Sequence, residues 1–164
     1  MEELTKLLTE LEWKKQSRYN VSKKPYEGFV LGKVKCWHNK GRCEGHAGKK
    51  ITSNTTLKPK YSEIYKQAKK LMEKHDPNFK FTTMQFNKNS QMLKHRDANN
   101  TGESYIIGLG KYTGGDLIIY DEKDDNKIKQ KVNIKNRFKT FDGSLLPHEV
   151  APFNGLRFSI VYFK

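Results

Sequence analysis

The sequence predicts an α+β protein that is mainly β: a jelly roll with two N-terminal helices packed on it. Three observations carry this. Leucines at helical spacing open the chain, a second helical stretch starts at Pro59, and from Phe81 onward short strand-like runs alternate with turns. At 164 residues the chain suits one domain, with a helical and basic part over 1–80 and the jelly-roll core over 81–164.

The elements follow in order. Leu4, Leu7, Leu8 and Leu11 repeat at i, i+3, i+4, i+7, so residues 2–15 read as an amphipathic helix. A basic, turn-rich stretch runs from Lys14 to Pro25, and residues 28–34 read as a strand. Residues 36–60, rich in Gly, Lys, Asn and Thr, read as a long loop, a length uncommon in compact domains unless the loop has a function or moves. Pro59 and Ser62 open the second helix, with Tyr61, Ile64, Tyr65, Ala68, Leu71, Met72 and His75 on one face; Asp76-Pro77-Asn78 ends it. Strands are expected at 81–87, 104–109, 116–120, 131–134, 137–142 and 156–163, with turns at Gly114-Gly115 and Asp124-Asp125-Asn126.

Composition narrows the class. Mean hydropathy is −0.88, and no stretch approaches the roughly 20 apolar residues of a membrane span. The N-terminus lacks the basic and apolar regions of a secretory signal, so an intracellular, monomeric protein without a membrane partner is expected. Cys36 and Cys43 are too few for a disulfide scaffold. Net charge is +14, and most of the basic excess falls in residues 1–80. Such a surface attracts phosphate backbones through its long-range field, although a Lys-rich bias can also be compositional.

His95-Arg96-Asp97 carries the chemistry. Residues i and i+2 on an extended segment point to the same side, so an imidazole and a carboxylate can reach one ion. A second histidine from a distant strand, His148, completes a 2-His-1-carboxylate set with open positions on one face of the ion. His-x-Asp alone is a common tripeptide; the order His95, Asp97, His148, Arg157 makes it specific. His75, at a helix end, reads as a surface or capping residue. Arg157 opens an apolar strand, with Arg157, Ser159, Val161 and Phe163 on one face. A guanidinium there needs a partner or must snorkel to water. The distal carboxylate of a dicarboxylate would serve, with the Ser159 hydroxyl as a further donor.

These residues, with Ser104-Tyr105-Ile106-Ile107-Gly108, Gly114-Gly115-Asp116-Leu117 and Phe141-Asp142-Gly143, resemble the 2-oxoglutarate/Fe(II)-dependent dioxygenase superfamily. Within it the pattern looks most like the oxygenase domain of the TET and J-binding-protein enzymes, which oxidise the methyl group of pyrimidine bases. The resemblance runs from about Phe81 to Lys164; residues 1–80 match no named pattern. It implies a double-stranded β-helix and Fe(II), 2-oxoglutarate and dioxygen as cofactors and co-substrates. It also implies His95, Asp97 and His148 as catalytic iron ligands and Arg157 with Ser159 as the 2-oxoglutarate anchor. Co-substrate decarboxylation to succinate and CO2 would then be coupled to hydroxylation of a substrate C–H bond. Related enzymes often touch the co-substrate from the strand before the triad, so Asn87 and Asn89 are either contacts or turn residues. Tyr105 either hydrogen-bonds 2-oxoglutarate or fills the core.

Cys36-x-His38-x4-Cys43-x2-His46 gathers a possible structural zinc set, although one residue between Cys36 and His38 is not finger spacing; a mobile basic loop bearing Trp37 is the alternative. Trp13, Tyr19, Tyr26 and Trp37, interleaved with lysines and arginines, suit a nucleic-acid substrate, DNA ahead of RNA. The same core motifs fit a prolyl, lysyl or asparaginyl hydroxylase, and a basic nucleic-acid-binding module is the non-enzymatic reading.

Overall fold

In the computed structural model, residues 1–16, 22, 25–35, 50–52, 59–98 and 100–164 are described. The cluster at Cys36, His38, Cys43 and His46, with Tyr19 and Trp37, lies outside them. The first helix, α1 (Glu2–Glu10), is shorter than its leucine spacing predicts. Leu11 turns the chain into extended backbone, and Trp13 folds back so that its indole N–H donates to the Leu8 carbonyl at 2.8 Å. Burying Trp13 between Phe29 and Phe158, at ring-centroid distances of 4.9 and 5.6 Å, outweighs another helical turn. The second helix, α2 (Pro59–His75), ends where expected: an Asp76 carboxylate oxygen accepts from the Asn78 and Phe79 amides.

Among the described residues ten strands follow in order: β1 (Lys15–Gln16), β2 (Tyr26–Lys35), β3 (Lys50–Thr52), β4 (Thr83–Lys88), β5 (Ser104–Gly114), β6 (Leu117–Tyr120), β7 (Ile128–Val132), β8 (Lys139–Phe141), β9 (His148–Val150) and β10 (Phe153–Phe163). They form two sheets. The larger has the order β1-β2-β4-β10-β5-β8, with β3 also paired to β2; the smaller is β7-β6-β9, and the pairing within both is antiparallel. β2 lies inside the large sheet, paired with β4 over six residues. Residues 148–150, outside the six strand ranges expected above, form β9 by pairing with β6, so His148 does come from a distant strand.

Alternation along these strands sorts side chains onto two faces. Phe29, Leu31, Met84, Phe86, Ile107, Leu109, Phe158, Ile160 and Tyr162 form one core with Leu4, Leu8, Ile64, Ala68 and Met72 of the helices. The Tyr162 hydroxyl donates to the Ala68 carbonyl at 2.9 Å, tying sheet to helix. A second core of Ile106, Leu117, Ile119, Ile134 and Phe141, with Val161 packed on it, draws on the other face of the large sheet and on the small sheet. This is a jelly roll with its helices on the outer side of the larger sheet. No helix among the described residues is long and apolar enough to cross a membrane.

Candidate metal centre

Backbone pairing brings the two histidines together. The His95 amide donates to the His148 carbonyl at 3.0 Å and the His148 amide returns the bond at 2.9 Å; the Val150 amide reaches Met92 at 3.1 Å. Residues 92–95 thus extend the small sheet beside β9, and opposed residues in a hydrogen-bonded pair put side chains on one face. The imidazoles lie 4.5 Å apart between centroids. The neighbours of His95 point the other way. Lys94 sits over the Tyr120 ring at 3.9 Å, and Arg96 donates to the Leu145 and Glu122 carbonyls at 2.9 Å each. Arg96 therefore holds the segment by bonding two neighbouring loops, while His95 and Asp97 point inward.

The ligand atoms of His95, Asp97 and His148 all lie within 4.8 Å of one another. His95 Nε2 is 3.4 Å from Asp97 Oδ1, and His148 Nε2 is 3.7 Å from Asp97 Oδ2. Ligands bound at about 2.1 Å and at right angles stand about 3.0 Å apart, so both contacts need to close by less than about an ångström. The hydrogen bonds also set the tautomers. His95 Nδ1 lies 2.6 Å from the Leu93 carbonyl and His148 Nδ1 2.9 Å from the Leu146 carbonyl. A carbonyl only accepts, so Nδ1 carries the proton in both rings and Nε2 presents its lone pair to the centre. Burial, partly opposed by Asp97, lowers the His148 pKa and favours the neutral, ligating ring. Two imidazole nitrogens and one carboxylate fit a divalent iron.

Gly143 backs this centre. A Cβ there would stand 2.6 Å from Asp97 Oδ2 and 3.3 Å from His148 Cε1, while the Asp97 amide donates to the Gly143 carbonyl at 2.8 Å. Gly143→Ala is expected to push the carboxylate off the centre and weaken metal affinity at least about tenfold, the lower bound for disturbing an outer-shell partner. Calorimetric titration with Mn(II), with a far-UV spectrum as the fold control, checks this; unchanged affinity would show that the carboxylate is not held there.

The second half of the site lies on the large sheet, on the face away from the helices. Register sets Ser159 opposite Asn87 on one side and Gly108 on the other, and Arg157 opposite Gly110. Arg157 is 1% exposed. Its terminal nitrogen donates to the Gly115 carbonyl at 3.3 Å, its Nε has no hydrogen-bond partner, and no carboxylate among the described residues pairs with it. Burial depresses its pKa, opposed by the adjacent Tyr112. A buried guanidinium with spare donors is the feature a dicarboxylate would satisfy. The Asn87 amide donates to the Ser159 hydroxyl at 3.3 Å, so both polar groups expected near the co-substrate stand together. Asn89 does not join them: its carboxamide oxygen accepts from the Arg157 amide at 2.9 Å in a left-handed turn, bracing β10 at Arg157.

Tyr105 is a correction. It faces α2, where its hydroxyl donates to Asp76 at 3.1 Å and its ring packs on His75 and Phe79. It stands opposite Tyr162, and so on the side of the sheet away from Ser159 and Arg157. Tyr112 is the tyrosine on the site's side. Arg157 lies 5.5 Å from its ring, and a Cβ on Gly108 would stand 2.2 Å from its hydroxyl, so the ring leans back toward Gly108. The hydroxyl is buried; burial raises its pKa, opposed by the adjacent Arg157. His75, read as a surface or capping residue, stacks on Phe138 at 4.3 Å.

No family model matches the sequence, and no curated protein matches it. Solved structures do. An oxidoreductase of the 2OG-Fe(II) oxygenase family from Burkholderia pseudomallei aligns with a TM-score of 0.61 at 15% identity, over 99% of this chain and 76% of that one. NgTET1, solved in complex with 5mC DNA, aligns with a TM-score of 0.52 at 16% identity, over 83% of this chain and 60% of that one. The chain has the fold of the 2-oxoglutarate/Fe(II) oxygenases.

Proposed function

We propose that this protein is an Fe(II)- and 2-oxoglutarate-dependent dioxygenase that hydroxylates the methyl group of a pyrimidine base in nucleic acid, DNA ahead of RNA. One observation carries the chemistry. Three ligand atoms with fixed tautomers converge, while a fully buried arginine with an unpartnered nitrogen flanks a polar Asn87–Ser159 pair on the inner face of the sheet. Iron(II) held by His95, Asp97 and His148 would supply dioxygen activation coupled to oxidative decarboxylation of the co-substrate.

The chain's own part is positional. The Leu93 and Leu146 carbonyls hold the imidazoles with Nε2 inward. Asp97 brings the anionic ligand, which offsets part of the ion's charge and leaves the opposite face for substrates. Arg157 binds and orients a distal carboxylate, and the Ser159 and Tyr112 hydroxyls stand on the same face as further donors. Burial of Arg157 and His148 keeps bulk water from both ends of the site.

The nucleic-acid substrate is supported by the +14 charge and by a fold neighbour that was solved with 5mC DNA. The test has two stages. Anaerobic addition of Fe(II) and 2-oxoglutarate is expected to give the visible charge-transfer band of the chelate; no band at saturation defeats the dioxygenase reading. Succinate release stimulated by a methylated oligonucleotide, and not by proline- or lysine-containing peptides, supports the substrate. The reverse pattern assigns a protein hydroxylase.

A further inference from the structure

We infer that Asn100 is a positioning residue that fixes how the Asp97 carboxylate is presented to the metal, by tying its Oδ2 to the large sheet. The inference rests on the metal-centre reading above. Oδ1 is 3.4 Å from His95 Nε2 and Oδ2 is 3.7 Å from His148 Nε2. Oδ2 also accepts a hydrogen bond from the Asn100 side-chain amide at 3.0 Å. Gly143 leaves room for this arrangement, since a Cβ there would stand 2.6 Å from Oδ2.

The amide is itself moored. The same nitrogen donates to the Ser104 hydroxyl at 3.3 Å, and Ser104 is fully buried at the start of β5. A carboxamide nitrogen has two hydrogens, one for each partner. Asp97 is thereby linked to the large sheet through Asn100 and to the turn at Gly143 through its own amide. A neutral donor suits this place. It orients the carboxylate without cancelling the charge the ion needs, as a lysine or arginine would. It also disfavours chelation by both oxygens, which would take a coordination position that a bidentate co-substrate or dioxygen requires.

The test uses the full chain and two variants. Asn100→Ala removes the donor. Asn100→Asp keeps the shape and replaces the donor with an acceptor that repels Asp97. Co(II) is titrated into each protein by its visible ligand-field absorption, 2-oxoglutarate is then titrated at saturating Co(II), and thermal unfolding is followed on the metal-free proteins. Both variants are expected to bind Co(II) about 10- to 100-fold more weakly, the range for losing an outer-shell partner of a ligand. Asn100→Ala is also expected to bind 2-oxoglutarate more weakly at saturating Co(II), with little change in the metal-free unfolding midpoint. Co(II) and 2-oxoglutarate affinities equal to wild type in both variants overturn the inference, whether or not the midpoint falls. Wild-type protein that gives no Co(II) absorption overturns the metal-centre reading, and the inference with it.

Discussion

Asp97→Ala is expected to reduce succinate formation by at least about a thousandfold while leaving the fold intact. Losing a partner one shell out from a metal typically costs 10- to 100-fold, and Asp97 is itself a proposed ligand, so the effect should exceed that range. It is also the only anionic member of the set. The Leu93 and Leu146 carbonyls turn both Nε2 atoms to the centre, so without Asp97 an ion would meet two imidazole nitrogens and no carboxylate. The fold should survive for a local reason. The backbone bonds that place the segment, Asp97 to Gly143 and His95 to His148, do not involve the side chain. The carboxylate is also partly solvent-exposed, so its loss leaves no closed cavity in the core. Metal content, succinate release and a thermal unfolding curve on one preparation check all parts. Turnover within tenfold of wild type would falsify the assignment of the triad.

Arg157→Met is expected to raise the 2-oxoglutarate requirement by roughly 30- to 1000-fold while stabilising the ligand-free protein. The first effect follows from losing charged hydrogen bonds worth about 2–4 kcal/mol together, at about 1.4 kcal/mol per tenfold. The second follows from burial. Arg157 is 1% exposed; its side chain donates to the Gly115 carbonyl, and no carboxylate among the described residues pairs with it. A desolvated cation without a carboxylate costs stability, and an apolar side chain of similar length removes that cost. Opposite signs for binding and stability are what a residue kept for its ligand should give. A variant that loses stability and keeps its co-substrate requirement would make Arg157 a structural residue. Activity at saturating iron against 2-oxoglutarate concentration, and the unfolding midpoint of the apo variant, give the two numbers.

Much of this site was legible from short-range geometry. His95 and Asp97 are two residues apart on an extended segment, and Arg157 and Ser159 two apart on a strand, so each pair had to share a face. Asn87 is adjacent to Ser159 across the β4–β10 register, where an upstream strand was expected to approach the co-substrate. Tyr105 failed for a reason of the same kind. Period-two counting shows that Tyr105 and Tyr112 lie on opposite faces of β5, and says nothing about which face the helices cover. Asn100 carried no signal, because an amide in a loop has many ordinary explanations, and Gly143 entered only as part of the Phe141-Asp142-Gly143 match, with no role attached.

By itself the sequence determined the element types, the basic charge, the i, i+2 pairs and the order of His95, Asp97, His148 and Arg157. These depend on backbone periods and on side-chain chemistry, which are properties of neighbouring residues. The tertiary structure alone decided that β2 enters the large sheet, that β9 lies against residues 92–95, and that Tyr112 rather than Tyr105 faces Arg157. It also decided that Gly143 and Asn100 close on Asp97. Those facts depend on which strands pair and in what register. Register is set by burying two cores at once, between segments as far apart in the sequence as Thr83 and Phe163, and no local pattern encodes it.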